Sequence, residues 1–153
     1  MLLSQTAEYA LRSMAWLATA PEGGPVRASD LSLATGIPNH YLSKVLRRLV
    51  LANLLNSQKG QGGGFCLARP PEDISFIEIL AAVDAYPAEQ RCAFGWGQCD
   101  SEDPCPLHDS WSYLKDQIRD WAAGTSLKEI SKHPVRVRGS RCIGKSAETT
   151  HQS

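Results

Sequence analysis

The sequence predicts a mostly α fold with a small β wing, a winged helix-turn-helix followed by a long helix suited to dimerisation. Three observations predict it. A short helix, a tight turn and a basic-faced helix succeed one another between residues 29 and 50. A hairpin rich in glycine and carrying a lysine follows directly. Further on, Trp111, Leu114, Ile118 and Trp121 are spaced three, four and three, the step of a helix that packs lengthwise on another. With 153 residues and 42% apolar content, the chain can bury one ordinary core with a helical arm, not two large domains.

Ser4 is placed to cap a first helix whose buried face is Ala7, Ala10, Leu11, Met14, Leu17 and Ala18. Glu8 and Arg12 interrupt its apolar run and no basic segment precedes it, so it reads as an amphipathic helix rather than an export signal. Without a run of about 18 apolar residues, the expectation is a soluble, cytoplasmic protein with no membrane partner. The Pro21-Glu22-Gly23-Gly24-Pro25 stretch ends the helix. A second helix fits residues 29–35, with Leu31 and Ala34 inward and Gly36 as its left-handed exit. The third begins near Pro38, a residue suited to a first turn because its missing donor would be unpaired there. Its core stripe is Tyr41, Leu42, Val45, Leu46, Leu49 and Val50, whereas His40, Ser43, Lys44, Arg47 and Arg48 fall mainly outside it.

Strands are expected at 54–58 and 65–68, flanking Lys59-Gly60-Gln61-Gly62-Gly63-Gly64. Such a tip can lay backbone amides and a cation against phosphates or a minor groove. It lacks the context and the Gly-Lys-Ser/Thr ending of a nucleotide P-loop. Cys66 reads as a packing residue of the second strand. Ser75 and Glu78 form a capping box, with Ile74 and Ile79 as its staple, for a helix running to about Asp84 and closed by Ala85-Tyr86-Pro87. The long helix is expected from about Pro106 to Ala123, stopped by Gly124, with a short closing helix entered at Thr125-Ser126 and capped through Glu129. From His133 onward the composition predicts a disordered basic tail with Cys142 as a free thiol. The expected segments are thus a DNA-binding unit at 1–84, a cysteine-rich loop at 85–105, the long and closing helices at 106–131, and the tail at 132–153.

The loop carries the chemistry. Six residues separate Cys92 from Cys99, five separate Cys99 from Cys105, and two separate Cys105 from His108. Gly95, Gly97, Pro104 and Pro106 exclude a helix or central strand there. Thiols gathered in a polar loop point to shared ligation of a metal or an iron-sulfur cluster. Structural zinc on Cys92, Cys99, Cys105 and His108 is the alternative, although tight Cys-x2-Cys pairs are absent. Oxidant sensing through bare cysteines is another. No second cofactor site or Cys-x2-Cys motif marks an electron carrier or thiol-redox enzyme.

A formal net charge of zero conceals a polarity. Residues 1–71 hold seven Lys/Arg against three Asp/Glu, residues 72–132 five against twelve, and residues 133–153 four against one. No acid lies between Asp30 and Glu72, the stretch that holds Lys44, Arg47, Arg48, Lys59 and Arg69. This predicts a polyanionic partner.

The order of parts, with Gly62-Gly63-Gly64-Phe65, Ala82-Val83-Asp84 and the Cys92, Cys99, Cys105 triplet, resembles the IscR/NsrR family of bacterial winged-helix regulators across about residues 1–131. The resemblance implies a non-enzymatic, homodimeric transcription regulator that reads a pseudo-palindromic double-stranded operator under the control of an iron-sulfur cluster, 2Fe-2S or 4Fe-4S. It implies Cys92, Cys99 and Cys105 as ligands, with His108 or, from the partner's first helix, Glu8 as the fourth. His40, Ser43, Lys44 and Lys59 match the family's DNA-contacting pattern. The full candidate set is Asn39, His40, Tyr41, Ser43, Lys44, Arg47, Arg48, Lys59, Gln61, Gly62 and Gly63, with Trp111, Leu114, Ile118 and Trp121 at the dimer interface. Two departures stand out: Pro38 replaces a capping serine, and Lys59 replaces an arginine whose planar fork reads groove width.

Overall fold

A computed structural model describes residues 3–20, 24–85, 91–97 and 99–132. Pro21, Glu22, Gly23, Tyr86, Pro87, Cys142 and the basic tail beyond Lys132 lie outside the described residues. Helix α1, Gln5–Thr19, is capped by Ser4, whose Oγ accepts the Ala7 amide at 3.2 Å. It buries Ala7, Ala10, Met14 and Leu17, while Leu11 and Ala18 are half-buried. Helix α2, Ala28–Thr35, starts one residue earlier than expected and ends at Gly36, which takes φ 70.

Helix α3, Asn39–Leu51, corrects two expectations. Pro38 stands outside the first turn, at the cap position with φ −57 and ψ 134. Its ring fixes φ alone, which the cap tolerates as well as the first turn does. Its carbonyl accepts the amides of Tyr41 and Leu42, both at 3.0 Å. Tyr41, placed on the core stripe, is 45% exposed. The buried line is Leu42, Val45, Leu46 and Leu49, and Tyr41 falls about 100° to its side, its ring 4.1 Å from that of His40.

Strands β1, Leu55–Gln58, and β2, Gly64–Leu67, pair antiparallel with Leu55 opposite Leu67 and Gln58 opposite Gly64. The half-buried Cys66 faces Asn56 across this ladder. Val26 joins as an isolated bridge, exchanging hydrogen bonds with Phe65 at 2.9 and 2.8 Å, which pins the wing to the entry of α2. The glycines divide by role. Gly60 and Gly62 turn the tip at φ 91 and 77 with open space around them. Gly64, at φ 152, lies so close to Val26 that a Cβ would collide with its backbone. This glycine serves the fold, not the polyanion.

After a 3-10 turn at Pro71–Asp73, helix α4 spans Phe76–Ala82. Its capping box is formed, and Arg69 holds the same Glu78 carboxylate at 2.8 Å. The helix stops two residues before Asp84, which takes φ 56, a left-handed conformation Asp accepts better than most residues. Helix α5, His108–Gly124, begins later than expected because Cys105–Leu107 is a turn, the His108 amide donating to the Cys105 carbonyl at 2.9 Å. Gly124 closes it as its last residue. Helix α6, Leu127–Ser131, carries the second capping box, Ser126 with Glu129. The entries of α4 and α6 join back to back, Phe76 donating to Thr125 at 2.9 Å and Leu127 to Ile74 at 3.0 Å. One core results: α1 packs on α2, α3, α4 and α6 around Met14, Leu31, Leu46, Ile79, Leu80 and Leu127. Among the described residues no helix is long and apolar enough to cross a membrane.

Candidate functional site

The thiol loop folds around its own glycines. Gly95 at φ 73 and Gly97 at φ 116 let the chain reverse, so that Gly95 donates to the Cys92 carbonyl at 2.9 Å and Cys92 donates to the Gly97 carbonyl at 3.1 Å. The reversal turns amides towards the Cys92 sulfur. Hydrogen bonding from the Phe94 amide, helped by those of Trp96 and Gly95, holds this thiol below its ordinary value against the opposing effect of burial. Burial pushes the Cys105 thiol up, and the nearby Cys92 and Cys99 add to the rise. The loop is tied to α5 by Trp111, whose indole Nε1 donates to the Arg91 carbonyl at 2.8 Å.

Cys92, Cys99, Cys105 and His108 line one cavity of about 290 Å³ together with Trp96, Asp100 and Asp103. Within it the sulfurs of Cys92 and Cys105 are 3.6 Å apart, and Cys99 Sγ lies 3.3 Å from His108 Nδ1. Two donors on one tetrahedral ion stand about 3.5–3.8 Å apart when their bonds are about 2.0–2.3 Å; the Cys92–Cys105 separation falls in that range, and the Cys99–His108 separation is about 0.2 Å shorter. Among the described residues no three carboxylate, thiol or imidazole groups converge closely enough to enclose a single ion. The donors therefore stand as two pairs. Soft thiolates with an imidazole fit zinc or an iron-sulfur centre and not a hard cation. Glu8 does not line this cavity.

The basic surface lies on other elements. Asn39, His40, Tyr41, Ser43, Lys44, Arg47 and Arg48 are all exposed on α3, as are Lys59, Gln61 and Gly62 at the wing, whereas Gly63 is buried. Ser43 Oγ is turned back onto the Asn39 carbonyl at 2.9 Å. Between α1 and α3 runs a groove of about 550 Å³, walled by Tyr9, Tyr41, Val45 and Leu51 and edged by Lys44, Arg47 and Arg48. Arg48 differs from its neighbours: its Nη1 donates to the Val83 carbonyl at 3.0 Å and meets Asp84 at 3.1 Å. On α5, Ala122 is buried, while Trp111 and Ile118 are half-buried and Leu114 and Trp121 are exposed. Trp121 touches α4 edge-on, its ring 5.6 Å from that of Phe76.

The sequence reading missed Trp96, Asp100 and Asp103 as cavity walls, and Tyr9 as a neighbour of α3. The first three had a signal, since they fall between the cysteines themselves. Tyr9 had none, because its approach to Tyr41 is made by the packing of α1 on α3.

A basic helix, a pinned wing and a core that fixes both define a winged helix-turn-helix transcription regulator with an added thiol pocket. Comparison with known proteins narrows this class. The family model Rrf2, described as an iron-dependent transcriptional regulator, matches residues 3–133. The chain belongs to the Rrf2 family. It is 36% identical over 132 residues to a Mycobacterium tuberculosis protein provisionally named an HTH-type transcriptional regulator, covering 86% of this chain and 81% of that one. It is 33% identical over 130 residues to the HTH-type transcriptional regulator IscR of Escherichia coli, covering 85% and 80%. The solved structure of CymR, the global cysteine regulator of B. subtilis, shares the fold with a TM-score of 0.70 at 20% identity, covering 85% of this chain and 95% of that one.

Proposed function

We propose that the chain is a cytoplasmic, homodimeric DNA-binding regulator whose operator affinity is set by an iron-sulfur cluster held by Cys92, Cys99, Cys105 and His108. The observation that carries this reading is the pairing of Cys92 with Cys105 and of Cys99 with His108 in one cavity. The family description as iron-dependent and the likeness to IscR support the choice of iron over zinc. His108 is favoured over Glu8 as the fourth ligand by its contact with Cys99. When bound, such a cluster supplies a centre whose gain, loss or change of charge can be read by the protein. The residues 1–84 read DNA, 85–105 together with His108 hold the cluster, 106–131 join two subunits, and the tail from 132 adds basic charge.

In this reading the α3 surface from Asn39 to Arg47 enters the major groove, while Lys59, Gln61 and Gly62 approach the backbone or minor groove and the buried Gly63 shapes the tip behind them. Each half of a pseudo-palindromic operator takes one subunit. The open side of α5, with Trp111, Leu114, Ile118 and Trp121, is the seam between subunits. Anaerobic purification of the full chain, with an absorption spectrum and iron and sulfide analysis, tests the proposal. A visible chromophore with iron and acid-labile sulfide supports it, and a colourless, zinc-loaded protein refutes the cluster.

A second reading rests on the same 3.6 Å separation. Cys92 and Cys105 are near enough to close a disulfide when no metal is present, a bare-thiol oxidant sensor of the same fold. Iron-free protein that loses two hydrogens from this pair on peroxide treatment, and changes its operator affinity with it, would favour that reading.

A further inference from the structure

Arg48 sits on the basic face of α3, and its sequence context gives no reason to separate it from Lys44 and Arg47. Its contacts do. One nitrogen donates to the Val83 carbonyl at 3.0 Å and forms an ion pair with the Asp84 carboxylate at 3.1 Å, in which the Asp84 side chain is 84% exposed. Both acceptors come from the turn that leaves α4. Asp84 adopts φ 56 one residue beyond Val83, the cap that ends the helix at φ −110. Lys44 and Arg47 show no hydrogen bond or ion pair within the described residues, so they remain available to an external anion.

The turn belongs to a series of contacts that starts at the thiol loop. Trp111 holds the Arg91 carbonyl, immediately before Cys92. Trp111 and Trp121 stand on one rigid helix, and Trp121 meets Phe76, the first residue of α4. The far end of α4 then grips Arg48 on α3. The thiol loop and the recognition helix are thereby joined within one subunit by packed elements and two hydrogen-bonded ends.

We propose that Arg48 is a positioning residue, a clamp by which α4 sets the placement of α3, and that it carries the state of the thiol pocket to the DNA-reading surface instead of contacting a phosphate. The proposal rests on the cluster-regulated reading for its signal, but its geometry is independent of any cluster. It also gives a physical role to the Ala82-Val83-Asp84 segment: a helix end, an available carbonyl and an acid in the left-handed conformation.

The experiment compares Arg48→Gln, Asp84→Asn, their combination and Arg47→Gln in the full-length protein, measuring operator affinity against salt with and without cluster. Asn keeps the left-handed turn while removing the charge. A phosphate contact contributes about 0.9 to the slope of log affinity on log salt. The expected result is that Arg47→Gln lowers the slope by about that amount per contact removed, whereas Arg48→Gln leaves it unchanged. Arg48→Gln should also collapse the ratio of loaded to cluster-free affinity towards one, from an initial ratio of about 5 to 150. Asp84→Asn should act in the same direction, and the double variant should add little to Arg48→Gln alone. A slope loss in Arg48→Gln equal to that in Arg47→Gln overturns the proposal, as does an unchanged affinity ratio in a normally loaded variant. If the wild type takes up no cluster, the cluster reading fails separately. The clamp is then decided by slope and non-additivity in the cluster-free protein, where additive losses overturn it.

Discussion

Replacing Gly64 by alanine tests whether the wing is held by backbone proximity. At φ 152 the new residue enters a region that costs an L-residue about 1–3 kcal/mol. Its methyl also collides with the backbone of Val26 and Arg27, so β2 must move away from Val26. That movement breaks the two Val26–Phe65 hydrogen bonds, each contributing about 0.5–1.5 kcal/mol net. The two effects are alternatives in part, since moving relieves strain, and a loss of about 3 kcal/mol is the reasonable middle. For a chain of this length about 1 kcal/mol shifts Tm by about 3 °C, so the expected fall is about 9 °C. Gly60→Ala is the matched control: it has positive φ but nothing near the added carbon, and should lose about 1 kcal/mol. Thermal unfolding of both variants followed by circular dichroism makes the comparison. Equal Tm values for the two would refute the argument that close approach, rather than turn geometry, requires Gly64.

Four further outcomes are expected. Cys92→Ser and Cys105→Ser should each reduce iron and sulfide to background after anaerobic reconstitution while Glu8→Gln retains both, measured by metal and sulfide analysis; iron loss in Glu8→Gln would move the fourth ligand to the first helix. Lys44→Gln should weaken operator binding and lower the salt slope by about 0.9 per contact, read by fluorescence anisotropy across salt. Leu114→Glu should yield monomers by sedimentation with a normal helical spectrum, because the side chain is 43% exposed in the single subunit. Burial alone would raise the Glu78 pKa, but the Ser75 amide, Arg69 and the Ser75 hydroxyl together hold it below the ordinary 4.5. Its depressed folded value means that its stabilisation is complete above pH 4.5 and is lost as pH falls through that folded value. Gln can keep the capping box, so Glu78→Gln loses chiefly the half-exposed charge contact with Arg69 and should be less stable than the wild type by about 0.5 kcal/mol at neutral pH, with the gap closing in acid by denaturant titration.

Local chemistry explains why so much of the fold could be read from the chain. Ser4, Ser75 with Glu78 and Ser126 with Glu129 act on backbone groups within three residues, so their caps form whatever the tertiary context. Gly36 likewise needs only its own φ. The expected strand pairing followed from a hairpin, whose register is set by the turn itself. The errors are at positions where local rules permit two answers. Pro38 has the same φ in a cap and in a first turn. Tyr41 has an apolar ring and a polar hydroxyl, and the line from Leu42 to Leu49 already fills the inward face.

Arg48 and Gly64 mark the deeper limit. Helical periodicity correctly puts Arg48 outside the core, and composition correctly puts Gly64 in a tight hairpin. Neither property names a partner. Arg48 lies 35 residues before Val83 and Gly64 lies 38 residues after Val26, so each role exists only once α4 and the segment before α2 have been brought in by the core. The same holds for the thiol pocket: spacing collects Cys92, Cys99, Cys105 and His108 into one loop, but which sulfur stands beside which is decided by the reversal at Gly95 and Gly97. Sequence therefore supplies the donors, and folding supplies the pairs. Because a metal responds to the pairs, exchanging Gly97 for a β-branched residue should disturb cluster uptake with every ligand still present.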